Sequence, residues 1–254
     1  MFLVLRKKWI IATLLVILSA IMLSINVFGG TSAAVFFGDS PRLVPIYNVD
    51  TTDKKVAITF DSAWGADKTQ GIIDLLKEHG ANATFFLVGF WAEKYPDMVR
   101  AIDEAGLEIG THSNTHPDFT NLSEVQMKQE LELSMNTIKS ITGKDVKLFR
   151  SPYGAYNNTS INVASSLGLT TIQWNVDTLD WKGISAGEIA KRVSAKVVPG
   201  SIILMHNNSD NVLDGLRLVL DYLKSSGYEV TSVGNIIMQE NFYIDHAGVQ
   251  HKNN

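Results

Sequence analysis

From Val56 onward, short apolar runs recur along the chain, at 56–60 (VAITF), 83–88 (ATFFLV), 107–111 (LEIGT), 146–149 (VKLF), 170–176 (TTIQWNV), 201–205 (SIILM) and 228–233 (YEVTSV). Their β-branched and aromatic content predicts strands. Between them, apolar residues return at helical spacing over 71–79, 97–105, 124–141, 159–167, 186–196 and 212–225. Ser123 with Gln126 and Ser185 with Glu188 have the spacing of capping boxes, and Gly80, Gly106, Gly143, Gly168 and Gly227 stand where a chain leaving a helix turns left-handed. About seven βα units in succession predict parallel strands joined by right-handed crossovers. No Gly-rich phosphate fingerprint follows the first strand, which favours a barrel over a doubly wound sheet. The expected fold is therefore α/β, a distorted (β/α) barrel of about seven parallel strands, near the lower size for that architecture.

The N-terminal pattern differs. Arg6, Lys7 and Lys8 precede an uncharged stretch from Trp9 through Phe28, and no further charge occurs before Asp39. A bilayer-spanning helix needs roughly 20 such residues, and the basic cluster predicts a cytoplasmic N-terminus with the remainder outside. A cleaved signal peptide is the alternative, with Ser32-Ala33-Ala34 offering small residues near a cut. The expected organisation is a basic end and anchor or signal over 1–28, a linker over 29–53, one domain over 54–240 and a flexible polar tail over 241–254.

Composition narrows the chemistry. The chain has no cysteine, so disulfides, thiolate metal sites and cysteine nucleophiles are excluded. Three of the 22 basic residues lie in the first 28 positions, leaving 19 against 26 acids beyond them. That acidic balance excludes the electrostatic footprint of a nucleic-acid binder.

Reactive side chains fall where predicted strands end. Asp61 follows VAITF, His112 follows LEIGT, Arg150 follows VKLF, Asp177 and Asp180 follow the fifth run, and His206 follows SIILM. In a (β/α) barrel, those ends converge on one face. His112 and His116 in "HSNTH" have a spacing that suits one divalent cation with open positions for water and substrate; two surface or capping histidines are the plain alternative. Asp61 is a candidate general base, Arg150 in "RSPYG" a partner that keeps it charged, and Pro152 and Gly154 fix the turn that follows. His206 is a candidate general acid whose imidazolium Asp180 would hold. Trp181, Tyr153 and Trp64 offer flat apolar walls for sugar rings.

The ordered set "TFDSAWG", "HSNTH", "RSPYG", "DTLDW" and "LMH" resembles the five motifs of polysaccharide deacetylases with the NodB homology domain, carbohydrate esterase family 4, over about residues 54–236. The resemblance implies a distorted (β/α) barrel and metal-assisted removal of N-acetyl groups from amino sugars of a chitin-like or peptidoglycan glycan. It implies Asp61 as base, Arg150 as its partner, His112 and His116 as metal ligands, and Asp180 tuning His206 as the acid. It further implies that Tyr153 offers its backbone N–H to the oxyanion and that Leu204 lines the acetyl-methyl pocket, with Pro152 and Trp181 among the substrate contacts. The implied cofactor is a divalent metal, zinc, with cobalt or another transition metal as alternatives. The partners implied are an N-acetylated cell-wall glycan and, through the N-terminal helix, a membrane, and the "TFDSAWG" variant is similar to that of membrane-anchored, sporulation-type deacetylases.

The chain departs from that pattern at one position. Where the family usually has a second aspartate completing a His-His-Asp metal triad, this sequence has Ser62. Water filling the place and Asp67 reaching in are the two ways the position could be made good. Two expectations follow: a deacetylase with an altered metal site, or a catalytically silent glycan-binding or wall-organising protein.

Overall fold

The structure is a computed structural model that describes residues 13–19 and 41–253. Residues 13–19 are helical and belong to a unit separate from the compact body that begins at Leu43. Among the described residues no helix is long and apolar enough to cross a membrane; most of the Trp9–Phe28 stretch lies outside them.

The compact body is built on parallel strands: β1 Asn48–Val49, β2 Lys55–Ser62, β3 Ala83–Leu87, β4 Glu108–Thr111, β5 Leu148–Phe149, β6 Thr170–Thr171, β7 Val176–Asp177, β8 Ile202–His206 and β9 Glu229–Thr231. The main sheet runs β6-β5-β4-β3-β2-β8-β7, with β9 also paired to β2. Every pairing in it is parallel, as the right-handed crossover rule anticipates. β2 lies inside the sheet between β3 and β8 and is buried from Val56 to Ser62, which explains its near-continuous apolar run. Side chains alternate across the sheet. Ile58, Phe60, Phe85 and Ile203 pack outward among the helices, while Ala57, Phe86, Leu148 and Ile202 fill the interior with Ile46, Ile172 and Val233.

The helices are α1 Thr69–His79, α2 Gly89–Lys94, α3 Pro96–Glu104, α4 Glu124–Thr142, α5 Asn158–Ser166, α6 Ala186–Ser194, α7 Val212–Ser225 and α8 Val233–Ile236. Both anticipated capping boxes form, at Ser123/Gln126 and Ser185/Glu188, and Gly80 and Gly143 end α1 and α4 in the left-handed region at φ 62° and 73°. α2 was not anticipated; six residues hold too few turns to show a period.

Three expectations need correction. The run 170–176 is not one strand but two, β6 and β7, at opposite ends of the sheet. Ile172 still bonds to Phe149 O, whereas Asn175 already bonds to Ile202 O. Four residues extend at most about 14 Å, so the sheet must curl until its two edges approach.

The linker expected over 29–53 is part of the fold from Leu43 onward. Ile46 bridges to Ile172 and Asn48 to Ser201, so this segment spans the gap between the two edges. The tail expected to be flexible over 241–254 instead supplies β10 Phe242–Ile244 and β11 Val249–Lys252, with β11 paired parallel to β1. Its polar side chains hide strands whose partner lies some 200 positions away, as Asn48 pairs with Val249.

Candidate active site

Asp61 is carried by β2 at the C-terminal face of the barrel, on the inner side with Ala57 and Thr59. Arg150, at the end of β5, is fully buried beneath it. Its Nη1 donates to Asp61 Oδ1 at 2.8 Å and to Thr59 Oγ1 at 2.8 Å, and Nη2 donates to the Gln173 carbonyl at 3.0 Å. The guanidinium lies over the Phe86 ring, 4.1 Å from its centre, and beside Trp174. Burial alone would raise the Asp61 pKa, but the Arg150 charge and hydrogen bond, with the neighbouring imidazoles, outweigh it and hold the carboxyl below its ordinary value. Asp61 is thus an ionised carboxylate held in a dry setting.

His112 and His116 come from the turn after β4. His112 Nδ1 lies 2.7 Å from the Arg150 carbonyl, which can only accept. Nδ1 therefore carries the proton, and Nε2 presents its lone pair 3.5 Å from Asp61 Oδ2. Burial holds His112 below its ordinary pKa, and burial with the neighbouring His112 lowers His116 to about 4. Both rings are neutral at physiological pH, 4.9 Å apart between centres. His116 is flanked edge-on by Tyr153 at 4.6 Å and Trp64 at 5.0 Å. The turn is tied to α4 at both ends: Thr111 Oγ1 donates to Ser134 Oγ, and the Glu130 carboxylate accepts from Asn114 N, Thr115 N and Thr115 Oγ1.

On the other side of Asp61, His206 ends β8. Its Nδ1 is 2.8 Å from Asp180 Oδ1, while Asp180 Oδ2 accepts from His206 N at 2.8 Å and Ser209 Oγ at 2.9 Å. Burial would lower the His206 pKa, but the bond to Asp180 and the charges of Asp180, Asp61 and Asp177 raise it above the ordinary value. With Nδ1 engaged, Nε2 is the nitrogen left to serve the cavity.

One cavity of about 620 Å³ unites these groups; its lining includes Asp61, His112, His116, Tyr153, Leu204 and His206, with Trp64, Trp174 and Trp181 as aromatic walls. Trp64, Tyr153 and Trp181 are largely exposed, as sugar-stacking faces need to be. Arg150 and Asp180 stand behind the wall, fully buried, and Pro152 is buried at the start of the turn that sets Tyr153 at φ 59°. Asp67 is exposed and does not reach the cavity. Ser62 is buried and absent from the lining. Glu130 and Ser209 escaped the sequence reading because each acts through a contact distant in the chain; the lining residues Asn207, Asn208 and Asp210, directly after "LMH", were within reach of it.

The donor chemistry suits a divalent ion only in part. Two neutral imidazoles face the cavity, and His116 Nδ1 is buried with no hydrogen-bond partner among the described residues. The Ser62 hydroxyl is likewise unpartnered, but it brings no charge. Among the described residues no group of three His, Asp or Glu side chains is placed to hold a metal. Among the described residues, His112 and His116 are the imidazoles that would hold such an ion, with no third His, Asp or Glu placed to complete the set.

These features define an α/β half-barrel with an acid–base pocket at the C-terminal ends of its strands. The family model for polysaccharide deacetylase matches residues 48–172. The peptidoglycan-N-acetylglucosamine deacetylase PgdA of Listeria monocytogenes is 36% identical over 185 residues, 73% of this chain and 39% of that protein. The chain therefore spans about two fifths of that relative's length. The chitooligosaccharide deacetylase of Azorhizobium caulinodans is 31% identical over 160 residues, 63% of this chain and 76% of that protein. Among solved structures, a pseudoenzyme of carbohydrate esterase family 4 from Bacillus anthracis superposes with a TM-score of 0.75 at 30% identity, covering 83% of this chain and 73% of that one. The chain belongs to the polysaccharide deacetylase family, carbohydrate esterase family 4.

Proposed function

We propose that this protein hydrolyses the N-acetyl group of an amino sugar in a cell-wall glycan such as peptidoglycan. The observation that carries this reading is the presence of two complementary groups in one cavity: Asp61 kept ionised by Arg150, and His206 whose proton Asp180 holds more tightly. An amide needs both halves, because water must lose a proton to attack and the departing amine must gain one to leave.

The aromatic walls would receive the sugar ring, with Leu204, also in the lining, beside its acetyl methyl. Asp61 takes the proton of the attacking water, and its pairing with Arg150 keeps the oxygen available at neutral pH. His112 and His116 would hold a divalent ion, zinc or another transition metal, which would supply Lewis acidity. The backbone N–H of Tyr153, at a left-handed turn in the cavity wall, would serve the developing oxyanion. His206 then protonates the leaving nitrogen through Nε2, while Asp180 fixes its tautomer and stabilises the imidazolium.

The N-terminal pattern supports an anchor in a membrane with this domain outside the cytoplasm, or secretion after cleavage. The "TFDSAWG" motif supports a sporulation-type role.

Incubating the protein with N-acetylated peptidoglycan or chitin fragments and zinc tests the activity. The expected result is released acetate and a free amine on the glycan. The second reading, a silent glycan binder, is favoured by one observation, the unpartnered Ser62 where a charged ligand is usual. Glycan binding without acetate, under any divalent ion, would establish it instead.

A further inference from the structure

The turn that carries the two imidazoles is held from outside the pocket. Glu130 on α4 accepts three hydrogen bonds from two consecutive residues: Asn114 N at 2.9 Å, Thr115 N at 2.7 Å and Thr115 Oγ1 at 2.7 Å. Four residues further along α4, Ser134 Oγ accepts from Thr111 Oγ1 at 2.7 Å. Side chains at i and i+4 share one side of a helix. A single face of α4 therefore grips the chain just before His112 and just before His116.

The turn needs that grip. Ser113 and His116 both stand at positive φ, 70° and 63°, where side-chain-bearing residues are strained. The Ser113 hydroxyl accepts from His116 N at 3.0 Å, and on the other flank the Ser113 and Asn114 carbonyls accept from Gly89 N and Phe90 N. Consecutive backbone N–H groups in such a turn form a concave donor cluster suited to an anion, and Glu130 is the anion that fills it. His112 has a separate restraint, because its Nδ1 is fixed by the Arg150 carbonyl. Among the described residues no hydrogen bond partners the His116 Nδ1, and Tyr153 and Trp64 only pack edge-on against the ring. Its direction therefore depends on those contacts and on the backbone from which it springs.

We propose that Glu130 is a positioning residue for His116. Its carboxylate holds the 114–115 backbone so that both imidazoles face one point of the cavity, while it lines no part of that cavity itself. The proposal rests on the reading of His112 and His116 as the metal-holding pair. With only two imidazoles and no third protein ligand, the bite depends on their mutual placement more than a three-ligand site would, so the clamp should weigh heavily in metal affinity.

The test compares wild type with Glu130→Gln, Glu130→Asp and Ser123→Ala. The last removes the cap of the same helix and serves as a control for stability lost without loss of the clamp. Three quantities are measured: thermal stability, metal-free amide exchange at Asn114 and Thr115 together with His116 ring order by NMR, and zinc affinity by calorimetry. In Glu130→Gln the Thr115 amide is expected to exchange about 10-fold faster or more, with zinc affinity lower by roughly 10–100-fold. Glu130→Asp should recover part of both. Ser123→Ala should lower stability and leave both as in wild type.

The proposal is overturned if Glu130→Gln keeps wild-type exchange and ring order, or if Ser123→Ala weakens zinc binding as much. Should wild type bind no zinc, the metal reading falls, and the exchange and ring-order data alone decide the placement of His116.

Discussion

The two histidine regions flanking Asp61 are built on opposite plans. On the β8 side, His206 meets a carboxylate that is itself saturated: Asp180 accepts from the His206 ring, the His206 backbone and Ser209. On the β4 side, His112 and His116 are neutral, face each other edge-on and leave a ring nitrogen and the nearby Ser62 hydroxyl without partners among the described residues. The first region is a finished hydrogen-bond network, and the second is an open set of lone pairs. A buried polar group without a partner costs about 1–3 kcal/mol, so the second arrangement persists at a loss unless something outside the chain completes it. On the proposed reading, the protein itself supplies the acid–base pair, whereas the electrophilic half depends on what the imidazoles can hold.

The contrast is broken most strongly at its shared centre. Asp61→Asn removes the base and leaves Arg150 as an unmatched buried cation. Acetate release should fall by about 10²–10⁴-fold, and unfolding should come about 3–5 kcal/mol sooner because one partner of a buried pair is lost. Kinetics and denaturant unfolding check the two parts separately.

Next in size is the finished side. Asp180→Asn removes the charge that raises the His206 pKa, so activity at neutral pH should drop by roughly 10–100-fold. The basic limb of the wild-type pH–rate profile should lie above the ordinary imidazole value of 6.5 and move downward in the variant. Stability follows the same sign: a proton held more tightly in the folded state stabilises it below the unfolded imidazole pKa. That contribution disappears as pH rises through the folded value. The variant should lose this pH dependence, which thermal unfolding at several pH values measures.

The smallest expected change falls on the open side. Ser62→Asp introduces a carboxylate at a fully buried position. Zinc affinity should rise by about 10-fold or more. The metal-free variant should be less stable than wild type, because its new charge has no cation near it until zinc arrives. An unchanged zinc affinity would show that position 62 does not address the imidazoles.

How far these regions were legible in the sequence follows the same division between local and distant causes. The long helices and their capping boxes are local events, set by apolar spacing and by Ser123 and Ser185 within four residues of their partners. The site residues were legible because a parallel barrel brings strand ends together, so Asp61, His112, Arg150 and His206 needed only to follow apolar runs. What stayed hidden depends on partners far along the chain. The 170–176 run conceals a passage between sheet edges, the C-terminal strands need β1, and Glu130 and Ser209 gain meaning only from loops folded against them. Nor does the identity of Ser62 alone reveal that its hydroxyl lies buried outside the cavity.

The central claim is that a complete acid–base pair awaits an ion on the open side. Acetate release from N-acetylated glycan, followed while zinc is titrated into metal-free wild-type protein, tests it most directly. The account predicts no release without the ion, saturable release as zinc is added, and return to zero with a chelator. Glycan binding with no acetate at any zinc concentration, or release unaffected by the chelator, would contradict it.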